Sequence, residues 1–283
     1  MIGFVNVNKP SGIGSSKVVA ILKKQFNIKK IGHMGTLDPL AEGVLPIAIG
    51  KATRMFDYFL EKRKTYIAEF TFGATTDTLD SEGEITETTL VIPTKQQILD
   101  ILPNLIGEID QIPPQYSAKK VNGKCAYDFA RQGEIVELNP KRITIYNIDL
   151  ISGDGNKYKF EIECSGGTYI RSIARDMAQL LHSKAYMSRL IRTKSGSFNI
   201  DKAYYLDELK QLSLSEVLCG IEEIFDFPII KLDNSTTKNL LDGKIVKVNE
   251  NSGQFFIKCD NILIGIGHVD DNILKLKTYL KED

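Results

Sequence analysis

Gly32-His33-Met34-Gly35-Thr36-Leu37-Asp38-Pro39-Leu40-Ala41-Glu42-Gly43 is the stretch on which the reading of this 283-residue chain turns. Three glycines and Pro39 within it predict irregular, turn-rich backbone, and the apolar run Val44 to Ile49 that follows predicts a short buried strand. The only acid near its middle, Asp38, is fixed by the proline after it and sits in a basic region: residues 1–64 carry 11 Lys and Arg against 4 Asp and Glu. A carboxylate on a constrained loop, with an arginine brought in from elsewhere, suits a nucleophile or base kept ionised by opposite charge. The competing reading is an Asx-turn, in which Asp38 merely holds its own backbone.

Outward from the loop, the pattern mixes helix and strand. Upstream, Pro10-Ser11-Gly12-Ile13-Gly14 leads to Ser15 or Ser16 as a helix cap, with Val18, Leu22 and Phe26 at helical spacing. Downstream, Tyr66, Ala68, Phe70 and Phe72 alternate with Ile67, Glu69 and Thr71, which predicts a strand with one buried face. Tyr158 to Cys164 alternates in the same way until Gly166-Gly167 ends it. Thr168 then offers a cap to a helix striped by Ile170, Ile173, Met177 and Leu180 or Leu181, with Arg171 and Arg175 on a neighbouring face. Between these strands, residues 111–133 carry Pro113-Pro114 and several lysines and read as a mobile surface arm ending in a short helix before Gly133. An acidic helical stretch, Ser215 to Phe225, precedes the boundary at Asp226-Phe227-Pro228. Beyond it, clusters at 229–232, 243–248, 254–259 and 262–267 predict a compact β-rich unit.

Composition sets bounds. At 42% hydrophobic residues the chain has material for one large domain and a small one, given ~100–200 residues per domain. Its four cysteines are scattered, so neither paired zinc ligands nor a disulfide framework is expected. The first residues reach Lys9-Pro10 too soon for a signal sequence, and no apolar run approaches the ~18 residues of a membrane span, so a soluble cytoplasmic protein is expected. Net charge is zero, yet basic segments 1–64 and 141–194 alternate with acidic segments 65–140 and 195–283. If the basic segments meet they form a local groove for phosphates; on composition alone, ordinary solvated charge accounts for the pattern.

Four blocks agree in order with one family. Val7-Asn8-Lys9-Pro10-Ser11-Gly12, the Asp38 block continued through Leu45-Pro46, Lys64-Thr65-Tyr66, and Gly166-Gly167-Thr168-Tyr169-Ile170-Arg171 together resemble the TruB family of tRNA pseudouridine-55 synthases. The likeness covers residues 3–225, and the β-rich end resembles the small PUA RNA-binding domain. The resemblance implies an α+β fold with a central mixed, largely antiparallel sheet, a catalytic domain over 1–227 and a PUA-like domain over 229–283. It implies isomerisation of a T-arm uridine in transfer RNA, by a monomer with no obligate protein partner, no cofactor and no metal.

The same resemblance assigns residues. Asp38 becomes the catalytic carboxylate and Arg171 its partner. Tyr66 stacks on the target base, Tyr169 and Leu190 form further pocket walls, and His33 contacts the RNA beside the extruded nucleotide. Lys9, Pro10 and Gly32 belong to motifs that support the loop, with a direct phosphate contact by Lys9 left open. One departure is visible: the family often reads Leu-Arg-Arg where this chain has Leu190-Ile191-Arg192, so one basic contact is missing. Without the resemblance, Tyr66 reads as ordinary strand packing and His33 as a structural residue. Two other classes compete, a non-catalytic RNA-binding or RNA-folding protein on this scaffold, and a phosphate-cradling kinase or nucleotidase. Asp38 with Arg171 argues against the first. The absence of a Gly-Lys-Ser/Thr ending and of clustered carboxylates argues against the second.

Overall fold

The computed structural model describes residues 1–60, 62–121 and 123–282. Among these, ten strands form one sheet whose main path runs Tyr204–Tyr205, Gly3–Lys9, Glu42–Ile49, Ala185–Ser195, Lys64–Phe72, Lys157–Cys164, Lys141–Asp154 and Gly107–Gln111. Ile31–His33 and Phe198–Asn199 attach beside it. Two of the pairings are parallel, Gly3–Lys9 with Tyr204–Tyr205 and Glu42–Ile49 with Ala185–Ser195, and the rest antiparallel. This is the mixed, largely antiparallel α+β sheet that the family resemblance implies, while the residue pattern by itself gives the mixture of helix and strand.

The alternating strands explain the core. Tyr66, Ala68 and Phe70 lie opposite Ile162, Phe160 and Tyr158, so one face of two adjacent strands is wholly apolar, and the Phe70 and Phe160 rings sit 5.1 Å apart. Helices Ser15–Gln25 and Ile170–Leu180 bring Val18 and Leu22, and Ile173 and Met177, into that core. The parallel junction is confined to Ile191↔Glu42 and Arg192↔Gly43. Gly43 adopts φ +101°, and a Cβ there would overlap the backbone of Arg192, so glycine is what allows the two strands to meet immediately after the Asp38 loop.

Three local expectations are corrected. Ser15 does not cap its helix. Gly14 takes that place, and Ser15 Oγ is turned to the Leu37 backbone, accepting from its N–H and donating to its carbonyl. Tyr169, not Thr168, is the N-cap of Ile170–Leu180, while Thr168 Oγ1 donates to Ser165 O. The acidic stretch is two short helices, Leu214–Val217 and Ile221–Ile224, because Cys219 between them exchanges both backbone hydrogen bonds with Phe4.

Residues beyond 228 form a second, five-stranded sheet, with a helix Asn234–Leu241 that the β-rich reading lacked. Asp233 caps it by accepting from Thr236 N. One face of this sheet has its own core around Ile230, Ile257 and Leu274. Phe256, Ile266 and Leu280 instead join Phe4, Phe59, Phe198 and Phe225 of the large sheet's side. Arg54 Nη1 donates to Tyr279 O at 2.9 Å across the same junction. The two sheets therefore share buried apolar surface. All four cysteines are free, and among the described residues no helix is long and apolar enough to cross a membrane.

Candidate active site

The Asp38 loop is held by its carbonyls. Lys9 is fully enclosed, and its ammonium donates to Pro10 O (2.9 Å), Ile13 O (2.6 Å) and Pro39 O (3.1 Å). Burial pushes the Lys9 pKa down to about 8, partly opposed by the Asp38 charge. Its three carbonyl partners leave it no open face, so the phosphate contact left open from sequence is not available to Lys9. From the other side Arg192, 1% exposed, donates Nε to Val44 O (2.7 Å), Nη2 to Gly35 O (3.1 Å) and Nη1 to Thr36 O (3.4 Å). Two buried cations thus fix the loop's backbone. Sequence reading noted Arg192 only for the residue missing beside it.

With its backbone held by others, the Asp38 side chain is free to point away from its own turn. Its carboxylate meets Arg171 with two prongs, Nε to Oδ2 at 3.0 Å and Nη2 to Oδ1 at 3.2 Å. Among the described residues it accepts from no backbone N–H of its loop, which is not the bonding of an Asx-turn. Arg171, in the first turn of Ile170–Leu180, also donates Nη1 to Thr78 O (2.8 Å) and Nη2 to Tyr116 O (3.0 Å). Nη1 also faces Asp80 Oδ2 at 3.4 Å. The guanidinium side chain is 7% exposed and the Asp38 side chain 33%, so the cation is enclosed while the anion faces open space.

Asp80 escaped sequence reading. It is buried, which raises its pKa, while a hydrogen bond from Thr78 Oγ1 at 2.6 Å favours the ionised form. Leu79 beside it takes φ 62°, unusual for leucine, and so marks a special turn. The signal in the sequence was the polar run Thr75-Thr76-Asp77-Thr78 before it, which carries turn-forming residues.

The open space is a cleft of about 550 Å³ lined by Asp38, Tyr66, Asp80, Tyr169, Arg171 and Leu190 among others. Tyr66 and Leu190 lie on adjacent strands, Tyr66 opposite Arg192 and Leu190 opposite Ala68, so they share one stretch of wall. Burial raises the pKa of the Tyr66 phenol to about 12 and also raises that of Tyr169. The arm expected at 111–133 contributes Tyr116, Ser117, Tyr127 and Arg131 to the same cleft. Its helix is Ala126–Ala130. Lys64 and Lys141 also reach the lining; burial lowers both pKa values, that of Lys64 to about 8.

His33, Gly32 and Pro10 do not line the cleft. Gly32 and His33 lie on the short strand Ile31–His33 beside Glu42–Ile49. His33 is half-buried, its Nδ1 enclosed and without a hydrogen-bond partner among the described residues, and its pKa is lowered first by burial and then by Arg192. Among the described residues no three His, Cys, Asp or Glu side chains are grouped as metal ligands.

A mixed sheet of this order, with an aspartate loop at its centre and an arginine helix closing on it, defines the pseudouridine synthase class of fold. The chain superposes on the one in "Structure of H/ACA RNP bound to a substrate RNA containing 2'-deoxyuridine" with a TM-score of 0.72, covering 99% of this chain and 85% of that one at 22% identity. A chain of "Crystal Structure of a Cbf5-Nop10-Gar1 Complex" gives the same TM-score at 23% identity, covering 99% and 84%. Residues 23–170 match the TruB family pseudouridylate synthase (N terminal domain), and the chain belongs to the TruB family. It is 41% identical over 280 residues to tRNA pseudouridine synthase B of Caldanaerobacter subterraneus subsp. tengcongensis, covering 97% of this chain and 98% of that one. To tRNA pseudouridine synthase B of Clostridium acetobutylicum it is 38% identical over 289 residues, covering 98% and 100%. Its reaction class is that of an isomerase.

Proposed function

We propose that this protein converts a uridine in the T arm of transfer RNA to pseudouridine, with Asp38 as the catalytic carboxylate. The observation that carries the reading is the two-pronged ion pair, whose arginine is enclosed while its aspartate faces the cleft. The names of the full-length relatives supply the RNA class.

The reaction breaks the bond from ribose C1′ to uracil N1, turns the base, and joins C1′ to C5. C5 loses a proton and N1 gains one, so nothing is oxidised and no group is transferred from outside. Whether Asp38 attacks the sugar, attacks the base or removes a sugar proton, each role requires a carboxylate, and Arg171 holds that group in place by two contacts. Tyr66, Tyr169 and Leu190 would wall off water from the detached uracil. Their flat or apolar faces tolerate a turning ring better than fixed hydrogen bonds do. The target base reaches Asp38 only after it has left its stack, and His33 is assigned to the RNA beside that opening. Lys119, Lys120 and Lys124 on the arm offer charge to the phosphates. The division of labour is a catalytic domain over 1–227 and a unit over 229–283 that adds RNA affinity, within a cytoplasmic monomer.

The test is direct. Unmodified tRNA transcript incubated with the protein alone should acquire a mass-silent uridine isomer in the T loop, detected by chemical derivatisation. Transcript that stays unchanged while binding tightly would favour an RNA-binding protein without turnover.

A further inference from the structure

The Gln111 side chain is 1% exposed and bonds in both directions to one backbone residue 58 positions away. Its Oε1 accepts from Tyr169 N at 2.8 Å, and its Nε2 donates to Tyr169 O at 3.2 Å. A primary amide is the side chain that both donates and accepts at this spacing, so Gln111 acts toward Tyr169 as a paired strand residue acts toward its partner.

The position is strategic on both sides. Tyr169 walls the cleft and is the N-cap of Ile170–Leu180, with no side-chain cap of its own, and Arg171 follows two residues later. Gln111 ends the edge strand Gly107–Gln111, and the chain leaves it through Ile112-Pro113-Pro114 as the arm. The arm's root is bound to the same helix: Ile112 O accepts from Ser172 Oγ at 2.9 Å and from Arg175 Nη2 at 3.0 Å. Farther along, Tyr116 O accepts from the Arg171 nitrogen that also reaches Asp38. Arm root, helix start and ion pair thus form one continuous hydrogen-bonded set.

We infer that Gln111 is a positioning residue for the reaction: its amide fixes the Tyr169 backbone, and through it the cleft wall and the helix turn that presents Arg171 to Asp38. The inference rests on the reading that this pair performs the chemistry. Loss of the amide lets the arginine fork drift, and small misplacements at a reacting centre are amplified in rate.

Full-length Gln111→Ala and Gln111→Glu variants, compared with wild type on unmodified tRNA transcript, test it. Binding isotherms, melting temperatures and single-turnover rates at saturating RNA are measured between about pH 5.5 and about pH 8.5. Alanine should slow the single-turnover step at least roughly tenfold with RNA affinity nearly unchanged. Glutamate should be slow at high pH, where an ionised carboxylate faces Tyr169 O. Its rate relative to wild type should recover as pH falls, because a protonated carboxyl again donates there. Because protonating a buried carboxyl also restores global stability, the rates are compared only at temperatures well below the melting point measured for each variant at each pH, where the whole population is folded. Rates within about twofold of wild type at every pH overturn the inference, as does a loss seen only in RNA affinity. If the alanine variant does not fold, a flat pH ratio for the glutamate variant overturns it alone. Failure of wild type to turn over would instead overturn the functional reading.

Discussion

Arg171 meets Asp38 edge to edge, Nε 3.0 Å from Oδ2 and Nη2 3.2 Å from Oδ1. The same planar group is bound on its remaining sides by Thr78 O, Tyr116 O and Asp80. Lysine has the charge but not the fork, and it cannot serve these partners at once. Arg171→Lys should therefore lower the single-turnover rate by roughly a hundredfold or more, with a measurable loss of thermal stability. A lysine variant within tenfold of wild type would show that the charge alone suffices.

Arg192 supports the loop from beneath. Arg192→Met leaves Gly35, Thr36 and Val44 carbonyls without their donor, and each buried acceptor so stranded costs about 1–3 kcal/mol. At about 2–4 °C per kcal/mol, even the low end of that cost should lower the melting temperature by at least roughly 6 °C, accompanied by loss of turnover. A melting point within 2 °C of wild type, by a rough threshold on the same scale, would mean that the loop does not depend on this cation.

Lys64 gives a pH signature. It is buried, its pKa is lowered to about 8 from 10.5, and among the described residues its ammonium donates to the Phe59 and Lys62 carbonyls at 3.3 and 3.4 Å. Between those two values the unfolded chain binds the proton more than the folded chain does, so this group makes stability rise with pH from about 8 to about 10.5. Below that window the folded state carries the full cost of the buried charge. Lys64→Met should match or exceed wild-type stability at neutral pH, and its advantage should shrink as pH rises through the window. Denaturant titrations showing a constant difference across this range would contradict the assignment.

The junction between the two sheets makes a third stability prediction. Phe256 packs with Phe227 at 5.2 Å between rings and belongs to the cluster that contains Phe4 and Phe59. Phe256→Ala should cost about 3–5 kcal/mol, and calorimetry of the whole chain should show one cooperative transition. Two separate transitions, with the variant shifting only the smaller, would mean that the sheets fold independently. Cutting the chain after residue 227 exposes this shared surface, so RNA affinity of the end unit is better probed by surface substitutions than by truncation.

What the sequence made legible is local. Glycines and Pro39 mark the Asp38 loop, and period-two alternation marks Lys64–Phe72 and Lys157–Cys164 because each has one buried face. Relations that span the chain were not legible from pattern. The Arg192 clamp joins residues more than 140 positions apart, and the Asp80 contact with Arg171 depends on a turn through Leu79 that propensity does not anticipate. Pattern could not decide whether Lys9 also meets a phosphate, because the enclosure of its ammonium is a tertiary property. The helix Asn234–Leu241 was hidden among β-rich neighbours, although Asp233 followed by Ser235 and Thr236 carries its capping signal.

The central claim is that Asp38 does chemistry rather than hold a turn, and Asp38→Asn separates the two. Asparagine keeps the size and turn-forming capacity but not the charge. Single-turnover assays at saturating tRNA, paired with a binding isotherm, should show RNA affinity nearly intact and pseudouridine formation reduced by at least several orders of magnitude. An asparagine variant that binds RNA and turns over within tenfold of wild type would contradict the account.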